Sequence, residues 1–246
     1  MKNCNDLNAH HRDSRLVFDE AAHLYTIDGD RYESVTTIVE QCFEIFDADK
    51  WAAIKAAQLG RSPEDLKAEW EAKGLEARTL GTEMHAKIER YYLGCENESD
   101  ATYRLFEQFE EQYRLQPYRT EWAIFDEESH VAGTLDFLEL RDGVFNIYDW
   151  KRSNKLVWNG RPVKETSWNK KALPPVENLN DTTYWHYALQ VSIYRLILEK
   201  HYDICVANGY LGVFHPDNKR AYRLEVPNLR AEAIRVLEHR RAVLGL

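Results

Sequence analysis

Two short segments hold the residues best placed to do chemistry: Leu135-Asp136-Phe137 and Tyr148-Asp149-Trp150-Lys151, with Asp142-Gly143 between them. Asp-Gly flanked by alternating apolar and polar residues signals a two-residue hairpin, so Arg141 pairs with Val144 and, counting back, Asp136 falls directly opposite Asp149. Residues two apart on a strand share a face, which sets Lys151 beside both carboxylates on a stripe otherwise made of Leu138, Leu140, Phe145 and Ile147. Opposed carboxylates repel one another unless a cation sits between them, and oxygen donors of this kind suit Mg²⁺ or Mn²⁺. The competing explanation is a solvated salt-bridge network at a sheet edge. The apolar stripe weighs against it, because a charged cluster facing a core is costly unless a metal or a function holds it there.

The chemistry that suits such a set is phosphodiester hydrolysis: a metal polarises the phosphate, and an ammonium orients the attacking water and offsets negative charge in the transition state. If the preceding strand returns through a four-residue loop, Asp126 to Ser129, Glu121 lies opposite Thr134 on the same face and becomes a further metal ligand or metal-water contact.

These residues need a scaffold. Residues 16–34 alternate around Asp28-Gly29 as a β-ribbon, and from Val35 to about Gln116 the period becomes helical, enough for four or five helices. Ser62-Pro63 reads as a helix start, and Gly60, Gly74 and Gly94 read as stops. Strands are predicted near 118–126, 130–140 and 144–150, a patternless loop over 152–180, a helix over 181–200, strands near 204–214 and 221–226, and a last helix capped by Asn228. That order predicts an α/β (α+β) layer fold, a mixed sheet flanked by helices, in one domain over 1–246: an N-terminal ribbon (1–34), a helical region (35–116) arching over the sheet, and a core (117–246). Trp51, Trp70, Trp122 and Trp185 fall in apolar-periodic segments and are expected to pack, as are Tyr91 and Tyr92.

The chain has 246 residues, 44% of them hydrophobic, enough to bury a core, and a net charge of −9 that argues against general coating of nucleic acid. The distribution tells more. Lys151, Arg152, Lys155, Arg161, Lys164, Lys170 and Lys171 stand against Glu165 alone between 151 and 171, interleaved with Trp158 and Trp168. Cations on phosphates and indoles on bases are what a single nucleic-acid strand requires. Cys4, Cys42, Cys95 and Cys205 are too scattered for a zinc clip, the residues up to Arg15 lack the apolar core of a secretion signal, and no apolar run would span a membrane, so an intracellular, reducing compartment is expected.

Two helical segments complete the pattern: Gly81-Thr82-Glu83-Met84-His85 and Gln190-Val191-Ser192-Ile193-Tyr194. Gly81, His85 and Glu89 lie four apart on one face, and the missing side chain at Gly81 is expected to let that face approach the sheet. Taken together, G-x-x-x-H, G-x-x-D (Gly133 to Asp136), D-x-K and Q-x-x-x-Y, in that order, resemble the RecB-type branch of the PD-(D/E)XK nuclease superfamily, including the mitochondrial genome maintenance exonucleases. The likeness runs from Gly81 to Tyr194, and Ser34-Val35-Thr36-Thr37 is similar to related exonucleases; Leu135 stands where the superfamily's proline would be.

The resemblance implies a restriction-endonuclease-like fold and a Mg²⁺- or Mn²⁺-dependent deoxyribonuclease, with exonuclease action on single strands or ends. It implies His85, Asp136, Asp149 and the Trp150 carbonyl as metal ligands, Lys151 as the catalytic lysine, and Gln190 and Tyr194 as supports of the site or contacts to the substrate backbone. Many relatives hold an iron–sulfur cluster through one early and three late cysteines; only Cys205 lies late here, so none is expected. Rival readings are a non-catalytic nucleic-acid-binding module and a structure-specific endonuclease.

Overall fold

The computed structural model describes residues 2–165 and 168–246; Thr166 and Ser167, within the predicted basic loop, lie outside the described residues. A single helical turn, α1 (Cys4–Leu7), leads to β1 (Leu16–Asp19), β2 (Leu24–Ile27) and β3 (Asp30–Ser34). Helices α2 (Val35–Glu40), α3 (Ala48–Leu59), α4 (Pro63–Tyr92) and α5 (Ala101–Tyr113) follow. Strands β4 (Pro117–Asp126), β5 (Val131–Arg141) and β6 (Val144–Lys151) come next, then a small hairpin of β7 (Val157–Trp158) and β8 (Arg161–Pro162). The chain closes with α6 (Thr183–His201), β9 (Val206–Val213), β10 (Tyr222–Val226) and α7 (Arg230–Leu244).

The strands form an eight-stranded mixed sheet in the order β1-β2-β3-β5-β6-β9-β10, with β4 on the other edge of β5. The β3–β5 and β6–β9 pairings are parallel and the rest antiparallel. The expected mixed sheet flanked by helices is therefore what forms. On one face Leu138 and Ile147 pack with Val35 and Ile38 of α2, Leu189 and Ile197 of α6 and Val236 of α7. On the other, Phe137, Tyr148 and Trp150 pack with Met84 and Ile88 of α4 and Phe106 and Phe109 of α5.

Local chemistry explains most of the boundaries. Asp28-Gly29 and Asp142-Gly143 all take positive φ (53°, 95°, 52° and 78°), the backbone that two-residue hairpins need. Ser34, Asp47, Ser62 and Asp100 cap their helices by accepting the N–H groups of Thr37, Lys50, Asp65 and Tyr103. Gly60 and Gly94 end helices with φ of 63° and 79°.

Gly74 does not end one. The α4 helix runs 30 residues through it, because an interior helical glycine costs only about 1 kcal/mol relative to alanine and buried Leu66, Met84 and Ile88 anchor the helix on both sides. Likewise Leu229 rather than Asn228 stands at the start of α7; Leu229 is buried, and its N–H donates to Ser192 Oγ at 3.1 Å. The ribbon predicted over 16–34 has three strands, and its third joins the main sheet beside β5. Trp122 is buried as expected, whereas Trp51 and Tyr91 are each 41% exposed, although the Tyr91 ring still packs edge-on against Phe106 of α5. The 152–180 stretch is not wholly patternless: Asn159-Gly160, at φ 49° and 77°, turns the β7–β8 hairpin, a signal present in the sequence. No described helix is long and apolar enough to cross a membrane.

Candidate metal centre

The hairpin register is the predicted one: Arg141 pairs with Val144 and Phe137 with Tyr148, so the next position along sets Asp136 against Asp149. Asp136 is buried, and its Oδ2 accepts the Trp150 N–H at 2.6 Å, which ties the carboxylate to the partner strand. Asp149 is more buried still. Its Oδ2 lies 2.8 Å from Lys151 Nζ, and beyond that ion pair neither carboxylate oxygen has a hydrogen-bond partner among the described residues.

His85 arrives from the far face, on the second half of α4. Its Nε2 is 3.0 Å from the Trp150 carbonyl oxygen; its Nδ1 is 3.3 Å from Glu121 Oε1 and 3.6 Å from Asp136 Oδ1. Donor atoms of His85, Glu121 and Asp136 all lie within 4.8 Å of one another, close enough to hold one metal ion.

Glu121 reaches this group by a different route from the predicted one. Asp126 pairs with Val131, so the turn is Glu127 to His130, and Glu121 lies between the pairs Thr120–Phe137 and Trp122–Leu135. It therefore stands opposite Asp136 and not opposite Thr134. The Asp126 carboxylate, accepting the Ser129 N–H at 3.0 Å, holds this shifted four-residue turn in place. Glu121 itself has a φ of 45°, a backbone state that costs a non-glycine residue about 1–3 kcal/mol. This breaks the strand's alternation: Arg119 and Trp122, three apart, both reach Asp13 at 2.8 Å, and the Glu121 carboxylate is left beside His85.

The charges are strongly coupled. Burial disfavours the His85 cation, but the Asp136 and Glu121 carboxylates outweigh it and hold the imidazole up at about 9. Burial pushes Asp149 up to about 6, with Asp136 adding to the rise and Lys151 opposing it. Asp136 is likewise raised, by burial first. Burial would lower Lys151, yet Asp149 and Asp136 keep it firmly protonated.

On the α6 side, Gln190 Nε2 donates to Tyr194 Oη at 3.4 Å. Tyr194 packs on Gly133, where a Cβ would come within 2.9 Å of the ring and hydroxyl and 3.1 Å of Val35. Gly81 does not play the packing role expected of it, since a Cβ there would meet nothing within 4 Å. Sequence reasoning passed over Tyr187, whose ring lies 4.5 Å from Lys151 Nζ; its position one turn before Gln190 on α6 was the available signal.

The basic loop lies past the end of β6. Arg152 Nε donates to Thr102 Oγ1 at 3.2 Å, Lys164 Nζ sits 4.7 Å above Tyr184, Lys170 pairs with Asp181 at 2.7 Å, and Lys171 donates to Asn180 at 2.6 Å. Lys155 and Arg161 are exposed, and Trp158 and Trp168 are 74% and 87% exposed. Lys155, Trp158, Arg161 and Lys164 line a concavity of about 1050 Å³.

No protein-family model matches the chain, and no curated protein matches it. Among solved structures it is similar to SSO0001, at 14% identity over 85% of this chain and 75% of that one, with a TM-score of 0.38. It is also similar to a "Putative exonuclease" from Eubacterium rectale, at 13% identity over 85% of this chain and 77% of that one, with a TM-score of 0.37.

The residues of the site fit a divalent cation. An imidazole and two carboxylates converge beside the Trp150 carbonyl, and next to them, among the described residues, the buried Asp149 carboxylate has Lys151 as its one partner, which leaves lone pairs that a bound cation would satisfy. Oxygen-rich donors with one imidazole suit Mg²⁺ or Mn²⁺ better than a thiolate-seeking metal.

Proposed function

We propose that this chain is a metal-dependent deoxyribonuclease of the RecB type in the PD-(D/E)XK superfamily, a single nuclease domain hydrolysing phosphodiester bonds as an exonuclease on single strands or DNA ends, in repair, recombination or replication. The observation that carries this reading is the buried Asp149 carboxylate, paired only with Lys151 among the described residues, beside the His85, Glu121 and Asp136 cluster. The ordered motifs from Gly81 to Tyr194 add the RecB-type assignment.

In this reading His85, Asp136, Asp149 and the Trp150 carbonyl hold Mg²⁺ or Mn²⁺, with Glu121 as a further ligand or a contact to metal-bound water. The cation, when bound, supplies Lewis-acid polarisation of the scissile phosphate. Lys151 does the rest from the protein side: its ammonium orients the attacking water and offsets the charge that grows on the phosphate oxygens. Gln190 and Tyr194 steady the strand that carries Asp136. Arg152, Lys155, Arg161, Lys164, Lys170 and Lys171 line the approach for the phosphate backbone, and Trp158 and Trp168 offer faces on which unpaired bases stack.

The test is a nuclease assay on 5′- and 3′-labelled single- and double-stranded DNA and on RNA, with Mg²⁺, Mn²⁺ or EDTA, comparing the wild type with Asp149→Ala and Lys151→Ala. Metal-dependent cutting of DNA that falls by on the order of 100-fold or more in both variants supports the proposal, and the product ladder gives the polarity. Tight binding without cutting under either metal overturns it in favour of a binding module.

A further inference from the structure

The Lys151 ammonium has three N–H donors to place. One side of it faces Asp149 Oδ2 at 2.8 Å, and another faces the Tyr187 ring, whose centroid lies 4.5 Å away. No other side chain among the described residues bonds or pairs with Nζ, and the lysine side chain is only 14% exposed. A carboxylate and an aromatic face thus leave one direction open.

We propose that Tyr187 is a positioning residue for Lys151: the negative face of its ring confines the ammonium so that its remaining N–H points toward the scissile phosphate and its water. The proposal rests on the phosphodiesterase reading above and adds to it a residue outside the four motifs. The physical basis is cation–π attraction, which strengthens when both partners are shielded from water, as here. A flexible four-carbon stem would otherwise let the head swing toward solvent or fold wholly onto Asp149, and either movement misplaces the water. The ring and not the hydroxyl faces Nζ, so phenylalanine should serve as well as tyrosine. Tyr187 is fixed for the task by α6, where it packs against the larger core one turn before Gln190.

The experiment compares wild type, Tyr187→Phe and Tyr187→Leu in steady-state cleavage of a labelled DNA strand with Mg²⁺ or Mn²⁺, with thermal melting of each. In parallel, NMR reads the Lys151 ε-CH₂ protons, which a ring face at this distance shifts upfield. Expected are an upfield shift in wild type and Tyr187→Phe that is absent in Tyr187→Leu, kcat within about twofold for phenylalanine, and a loss of about tenfold for leucine with KM unchanged. A tenfold change is about 1.4 kcal/mol of transition-state stabilisation. A simple packing defect would instead lower the melting temperature and leave the kcat of the folded protein intact. If the wild type cuts and Tyr187→Leu matches its kcat, the positioning role is overturned while the enzyme reading stands. If the wild type cuts nothing and the upfield shift is present, the enzyme reading fails and the role of Tyr187 fails with it.

Discussion

Gly133 and Tyr194 meet where the sheet touches α6, so closely that a methyl group on Gly133 would lie 2.9 Å from the tyrosine ring and hydroxyl. Two of the four motifs are thereby a single contact: the glycine of G-x-x-D is the seat of the tyrosine of Q-x-x-x-Y. Tyr194 is itself buried.

This contact separates two glycines that look alike in the sequence. Gly133→Ala is expected to destabilise the protein by about 1–3 kcal/mol through overpacking. Gly81→Ala, in a helix with nothing within 4 Å of the new methyl, is expected to stabilise it by up to about 1 kcal/mol. Urea denaturation of both variants measures this, and equal effects at the two positions would show that the Tyr194 contact is not tight.

If His85 ligates the metal, as proposed, then metal binding is proton-linked. Its folded pKa of about 9 lies above the unfolded value, so its stabilising contribution is complete below about pH 6.5 and is lost as pH rises through 9. A nitrogen that ligates a metal must first lose its proton, so Mn²⁺ binding near pH 7.5 should release about one proton, and affinity should climb toward pH 9. Calorimetric titrations in buffers of different ionisation enthalpy count the protons released. No dependence on buffer, or one unchanged in His85→Gln, would contradict the assignment.

Asp126 contributes to the acid limb of stability. Burial would raise its pKa, but His201, the Ser129 hydroxyl and Lys200 outweigh burial and hold it at about 2. A depressed carboxylate contributes above its unfolded pKa, so this stabilisation is present above about pH 4 and disappears as pH falls through 2. Asp126→Asn should cost about 2 kcal/mol near neutral pH and flatten the fall in stability between about pH 4 and 2. Thermal melts across that range check both expectations; an unchanged acid slope in the variant would count against the network.

Trp158, 74% exposed at the tip of the small hairpin, should be felt in substrate binding alone. Stacking on one base is worth roughly 1–3 kcal/mol, so Trp158→Ala should weaken binding of a single-stranded oligonucleotide between about 5- and 150-fold. Duplex binding and the rate at saturating substrate should change little. Fluorescence anisotropy with both substrates decides it, and equal losses on duplex and single strand would reject the stacking role.

Much of this was written in local sequence. Asp142-Gly143 determines its own turn, and the turn determines the register of β5 against β6, so the juxtaposition of Asp136, Asp149 and Lys151 follows from residues 135 to 151 alone. The start of α4 followed from Ser62-Pro63, because a cap acts within one turn, and Ser34 and Asp100 cap their helices by the same local bond.

Tertiary structure decided the rest. Glu121 stands opposite Asp136, two residues from where loop counting put it, because the buried Asp126 carboxylate organises the turn and the sheet sustains a left-handed backbone at Glu121. Gly74 stays helical because packing far from it anchors α4 at both ends. His85 and Tyr187 come from helices on opposite faces of the sheet and converge on one hairpin, an approach set by two separate cores and by no spacing along the chain. Short-range hydrogen bonds and turn sterics can be read from a few neighbouring residues, whereas the meeting of distant segments depends on how whole apolar faces bury one another.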